Sequence, residues 1–154
     1  MGNICRSPAA EGVFIEYVRR AGHADGFHID SAGTIGYHSG ALPDDRMQVA
    51  AVRRGYRLES RARQINKRDL ENFDLVLAMD HDNLRELQQL AGGPREHVRL
   101  FGSFIGKAAN GDAALSVPDP YYGGIDGFEL VLDMIESACP ALLEHCLAIR
   151  NRQR

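Results

Sequence analysis

The sequence predicts an α/β fold, a three-layer sandwich around a short parallel sheet with helices on both faces. Three observations carry this. Strand-like and helix-like stretches alternate along the chain, the arrangement that builds parallel sheets covered on both sides. Residues 73–79, Phe-Asp-Leu-Val-Leu-Ala-Met, form a nearly continuous apolar run, as a doubly covered strand requires. The chain also opens on a glycine-started loop, Gly2-Asn3-Ile4-Cys5-Arg6-Ser7-Pro8, that runs into a helix with no strand before it. The alternation starts one strand late, so an element is missing at the front.

The elements follow in order. Val13, Phe14, Tyr17 and Val18 give an amphipathic helix over 8–21, with Ser7 as N-cap, Pro8 at the first helical position and Gly22 as the stop. Residues 27–33 read as a short strand meeting a glycine turn. A long loop follows, with Tyr37-His38-Ser39-Gly40 and Pro43-Asp44-Asp45-Arg46, and a second helix runs from Asp44 or Asp45 to Gly55. Ala62-Arg63-Gln64-Ile65 leads to a short acidic helix near Asp69. After the apolar strand, a helix over 82–90 stops at Gly92-Gly93-Pro94, and 98–101 is another short strand. Residues 102–122 are mostly loop. The last helix, 126–149, places Phe128, Val131, Ile135, Leu142 and Cys146 on one side, with Pro140 bending or interrupting it.

The chain has 154 residues, no repeat and no linker, so one domain over 1–154 is expected. A net charge of −3 without a basic stripe argues against nucleic acid as a partner. No apolar run is long enough to span a bilayer and nothing resembles a signal peptide, so neither a membrane nor a secretory route is expected. Three cysteines, Cys5, Cys139 and Cys146, make no CxxC pair or metal-ligand cluster. Their odd, sparse count suits a reducing compartment and a cytoplasmic location.

Two stretches carry chemistry. In residues 2–8, successive backbone N–H groups and a helix N-terminus offer an anion seat. Gly2 permits close approach, Arg6 adds a bidentate grip on phosphate oxygens, and Asn3 and Ser7 can hold the curvature. An ordinary capped helix with a surface arginine would use the same residues. In Ser116-Val117-Pro118-Asp119-Pro120-Tyr121-Tyr122-Gly123-Gly124, an aspartate stands between two prolines and two tyrosines follow. A carboxyl on so stiff a loop can protonate a departing oxygen, and the rings can wall a pocket for an aromatic group. A proline-rich turn with tyrosines covering a core edge reads the same way.

Taken together, the two stretches resemble the low-molecular-weight protein tyrosine phosphatase family. That family carries a loop reading C-[LMT]-G-N-I-C-R-S-P and a late D-P-Y-Y-G loop; residues 2–8 and 119–123 match them. Asp30-Ser31-Ala32-Gly33-Thr34, Pro43-Asp44-Asp45-Arg46, Ala62-Arg63-Gln64-Ile65 and 73–80 are similar in content and order. The resemblance implies that Gly2, Asn3, Ile4, Cys5, Arg6 and Ser7 bind phosphate, with Arg6 and Asp119 catalytic. It makes Asn3, Ser7 and Ser31 the loop's support, and Tyr37, Tyr121 and Tyr122 the pocket walls. Tyr37 falls where many members have tryptophan, and Ser60 where members often have a histidine near the loop's support. Cys5 matches a second loop cysteine that can pair with the nucleophile on oxidation.

The family's nucleophile is the cysteine one residue before the Met1 position, and its first strand lies inside the sheet. The resemblance therefore implies a chain whose first interior strand and nucleophile are absent, through a misplaced start or a trimmed end. Such a chain should be inactive. Neither Cys5, six residues before Glu11, nor Cys139, six before His145, closes a C-x5-R loop; Cys146 with Arg152 does, but without a glycine. No metal or cofactor is expected, because Arg6 and the backbone supply the positive field. The implied partners are phosphotyrosine-containing proteins, a bacterial tyrosine kinase among them, with inorganic phosphate or a similar anion at the loop. Alternatives are a protein arginine phosphatase, disfavoured because those members tend to have threonine where Ile4 stands, and an arsenate reductase, which usually lacks the Asp-Pro-Tyr-Tyr loop. A non-catalytic phosphate- or phosphotyrosine-binding relative and an unstable fragment are the other readings.

Overall fold

The computed structural model describes residues 1–106 and 115–154; residues 107–114, part of the loop expected over 102–122, lie outside the described residues. The chain forms two compact units, Met1–Ile65 with Pro118–Glu136 and Asn66–Val117 with Ser137–Arg154.

In the first unit, helix α1 spans Arg6–Arg20 and buries Pro8, Ala9, Ala10, Val13, Phe14 and Val18. It starts two residues earlier than the sequence suggests. Cys5, not Ser7, occupies the N-cap position, and no side chain caps it. The reason is a competing bond: the Ser7 hydroxyl is held by the Asn3 amide at 2.7 Å. Pro8 fits inside the first turn because N–H groups there have no intrahelical acceptor. At the other end Gly22 has φ +80°, a left-handed conformation that glycine adopts without a Cβ clash, and the next N–H, of His23, returns to the Val18 carbonyl.

The strand expected over 27–33 is not a strand. After a single 3₁₀ turn at Ala24–Gly26 the chain is extended at Phe27, but the stretch contributes only an isolated parallel bridge, Gly33 with Gln64. One rung made by Gly33 N–H to Arg63 O and Ile65 N–H to Gly33 O is not the repeated pairing that defines a ladder. Gly33 is required there because the Met1 carbonyl occupies the space a Cβ would fill.

Helix α2, Asp45–Arg53, starts where expected, capped by the Asp44 carboxylate accepting from Arg46 N–H. Arg54, just past its end, reaches three carboxylates: Glu129, Asp133 at 2.8 Å and Glu136 at 2.9 Å. Tyr56 adds a hydroxyl bond to Glu136. All three acids lie on α5, Ile125–Arg152, whose first half belongs to this unit and second half to the other. Met47, Phe128, Val131, Leu132 and Ile135 are almost wholly buried and form this unit's core with Val13 and Val18.

The second unit holds α3 (Lys67–Asn72), β1 (Val76–Ala78), α4 (His81–Leu90) and β2 (Val98–Leu100). An Asn66–Asp69 capping box starts α3. The sheet is parallel, with Val76 opposite Val98 and Ala78 opposite Leu100, and α4 packs on both strands. The apolar run of 73–79 thus yields three paired residues, as many as β2 supplies. Pro140 does not interrupt α5. Its lost N–H bond is offset by buried Ala138, Cys139, Leu142 and Leu143, which keep the flanking turns packed.

Phe128 is 1% exposed and Leu130, two residues on, is 49% exposed. Phe128→Ala should cost about 3–5 kcal/mol and Leu130→Ala under about 1 kcal/mol. Urea denaturation of the two variants checks this.

Candidate active site

The loop at residues 2–5 is shaped by Asn3. Its φ of +61° places it in the left-handed region, where it is the one non-glycine residue among those described. Its side chain compensates. The amide nitrogen donates to Ser7 Oγ at 2.7 Å and to Ser31 Oγ at 2.9 Å, while the oxygen accepts from Arg63 N–H at 3.1 Å. Asn3 is 5% exposed, so these bonds are shielded from water. Ser31 passes the chain on by donating to Glu11, which also accepts from Ser60. Burial raises the Glu11 carboxyl above its usual range, against the two hydroxyls that favour its charged form.

With the loop so held, its N–H groups are left available. Among the described residues, the N–H groups of Gly2, Asn3, Ile4, Cys5 and Ser7 donate to no protein acceptor. The loop's outward link is a carbonyl instead: Ile4 C=O accepts from Asp44 N–H at 2.7 Å. On its other side, the His38 ring lies where a Cβ on Gly2 would stand.

Arg6 is 5% exposed and its Nη2 lies 4.0 Å from Asp119 Oδ2. At that distance the pair is an ion contact rather than a hydrogen bond, and Asp119 keeps a third of its side-chain surface in solvent. Its other oxygen accepts from Tyr121 N–H at 3.1 Å. Pro118 and Pro120 fix φ on both sides of the aspartate, so the carboxylate stands on backbone with little freedom.

Cys5 sits in this field but is not activated by it. Burial, with Asp44 and Asp119 adding to it, pushes the thiol up to about 12; the opposing pull of Arg46 and Arg6 is weaker. Cys146 is likewise pushed up to about 11 by burial, with Asp74 adding to it. A reactive thiol requires the reverse balance.

The residues expected from sequence thus divide. Asn3, Ser7 and Ser31 share hydrogen bonds and Arg6 meets Asp119, while Gly2, Ile4 and Cys5 adjoin them along the chain. Tyr121 touches Asp119 through its backbone, and its ring meets Tyr122 edge-on at 4.9 Å. Tyr122 and Tyr37 stand 91% and 85% exposed. The ring partner of Tyr37 is His38, at 4.8 Å, so it adjoins the loop through that neighbour. Two participants escaped sequence reasoning. Glu11 stands four residues after Ser7, a spacing that stacks side chains on one helix face and could have flagged it. Arg46, paired with the Asp44 that caps α2, also reaches the Tyr121 carbonyl at 3.1 Å. No signal in a single sequence indicates that contact. Among the described residues, no group of His, Cys, Asp and Glu could hold a metal ion, and no helix is long and apolar enough to cross a membrane.

Comparison with known proteins bears on what this arrangement is. A family profile described as low molecular weight phosphotyrosine protein phosphatase matches residues 1–152. A low molecular weight protein-tyrosine-phosphatase of Streptomyces coelicolor is 46% identical over 144 residues, covering 92% of this chain and 87% of that protein. The human low molecular weight phosphotyrosine protein phosphatase is 38% identical over 147 residues, covering 94% and 90%. Among solved structures, a protein tyrosine phosphatase of Entamoeba histolytica with Hepes in its active site superposes with a TM-score of 0.87 at 37% identity, covering 96% of this chain and 93% of that one. The chain belongs to the low molecular weight phosphotyrosine protein phosphatase family, an α/β fold of phosphoric monoester hydrolases.

Proposed function

We propose that this site seats the phosphate of a phosphotyrosine-containing protein, with Arg6 and the N–H groups of residues 2–7 as its grip and Asp119 as its general acid. The observation that carries the reading is Arg6 held 4.0 Å from Asp119, beside the N–H groups of Gly2, Asn3, Ile4, Cys5 and Ser7, which meet no protein acceptor among the described residues. A guanidinium and aligned amides match the charge that spreads over the equatorial oxygens during phosphoryl transfer.

The chemistry takes two steps. A thiolate attacks phosphorus as the bond to the tyrosyl oxygen breaks, and Asp119 gives its proton to that oxygen. Asp119, now a carboxylate, takes a proton from water as the water attacks the cysteinyl phosphate. Inorganic phosphate leaves and the thiolate returns. We assign the thiolate to the residue just before the Met1 position. The buried, proton-retaining Cys5 does not suit the role, and Cys139 and Cys146 lie in α5. Asn3, Ser7 and Ser31 hold the loop's curvature, extended here by Glu11 and by Ser60 in the place of a histidine. Tyr37, Tyr121 and Tyr122 are the walls against which the substrate ring packs, and a bacterial tyrosine kinase is the specific substrate we favour. A chain without the nucleophile keeps the anion seat and loses the covalent step.

Two measurements test this. Arg6→Lys keeps the charge but not the planar fork, and should weaken inorganic phosphate binding about tenfold or more by calorimetry. With p-nitrophenyl phosphate, the chain starting at Met1 should give neither burst nor turnover, and the chain preceded by a cysteine should give both. Asp119→Asn in the latter should lower turnover by about 10²–10⁴. Equal turnover with and without the upstream cysteine would refute the assignment of the nucleophile.

A further inference from the structure

We propose that Arg46 is a positioning residue for Asp119: it fixes the backbone at Tyr121 and thereby the carboxylate that Tyr121 holds. The inference rests on the reading of Asp119 as general acid.

The contacts run in one line. Ile4, in the anion loop, accepts from Asp44 N–H at 2.7 Å. The Asp44 carboxylate binds Arg46 through both oxygens, Nε at 3.0 Å and Nη2 at 2.9 Å. The same Nη2 donates to the Tyr121 carbonyl at 3.1 Å. Tyr121 N–H in turn donates to Asp119 Oδ1. Tyr121 is therefore gripped on both sides, its carbonyl by Arg46 and its N–H by the carboxylate to be positioned. The guanidinium carbon also lies 5.5 Å from the Tyr121 ring centroid and 4.8 Å from that of Phe128. Phe128 is buried in the core, so the arginine lies between a packed ring on one side and the loop on the other.

Magnitudes favour a positioning role over a structural one. The Arg46 side chain is 44% exposed, so the ion pair with Asp44 adds little to global stability. Its effect is local: it couples the loop that would hold phosphate to the loop that would deliver the proton. Only a planar fork can meet a carboxylate bidentately and a carbonyl beside it. Lysine in its place keeps the charge and loses that geometry.

The test uses the full chain, with inorganic phosphate as the probe. Amide hydrogen exchange and the amide proton shift of Tyr121 are compared in the unmodified protein, Arg46→Ala and Arg46→Lys. Both variants should speed exchange at Tyr121 about tenfold or more, with the change confined to residues 119–123. The Tyr121 amide proton should move upfield as its bond to Asp119 loosens. Arg46→Lys, with the charge kept, should bind phosphate within about threefold of the unmodified chain. Should Arg46→Ala fail to fold, Arg46→Lys makes the same comparison alone. An unchanged Tyr121 amide in a protein that binds phosphate overturns the role of Arg46 and leaves the site reading standing. Faster exchange spread through α2 and its neighbours marks a structural residue and also overturns it. No phosphate binding by the unmodified chain overturns the site reading, and the role of Arg46 with it.

Discussion

The loop at residues 2–5 depends on one residue held against its own backbone preference. A left-handed asparagine costs of order 1 kcal/mol, and three shielded hydrogen bonds of about 1 kcal/mol each offset it. The geometry also explains why an asparagine suits this position. Its amide donates twice and accepts once, and an aspartate could only accept. The bonds tie the loop to the first turn of α1, to Ser31 and to the backbone of Arg63. Because Asn3 takes the Ser7 hydroxyl, no side chain caps the helix, and among the described residues the N–H groups of Cys5 and Ser7 meet no protein acceptor. The same interaction bends the loop and leaves its donors open.

Electrostatics then separates what the site can do from what it cannot. Two carboxylates, two guanidiniums and a run of amides surround Cys5, yet burial dominates and the thiol keeps its proton. Proximity to positive charge is not sufficient to make a nucleophile. The thiol must also be accessible enough that its charged form is not penalised. Arg6 is as buried as Cys5, but its guanidinium faces Asp119 as a counter-ion.

Helices and site loops were readable in the sequence, and the strands less so. The amphipathic spacing of Val13, Phe14 and Val18 marks α1, and Asp44 and Gly55 bound α2, because each signal acts within a few residues. Residues 27–33 have strand composition, but a strand exists only through its partner, and composition does not specify one. Ser7 misled for a related reason. A serine before a proline reads as a cap unless another side chain claims its hydroxyl, and Asn3, four residues earlier, does. Gly2, Asn3, Arg6 and Asp119 stand out in the sequence because the two loops that carry them are so specific in pattern. Glu11 and Arg46 act through partners far away in sequence.

The clamp at Arg54 bears on how the chain assembles. Glu129, Asp133 and Glu136 are spaced four and three residues apart, so in an isolated helix they repel one another and disfavour its first turns. Arg54 relieves that repulsion, and it lies 75 residues from Glu129 along the chain. Closing so long a loop carries an entropic cost that the three ion contacts help offset. The helical order of residues 125–136 is therefore tied to the end of α2, and its acidic stretch is held by a cation far removed along the chain.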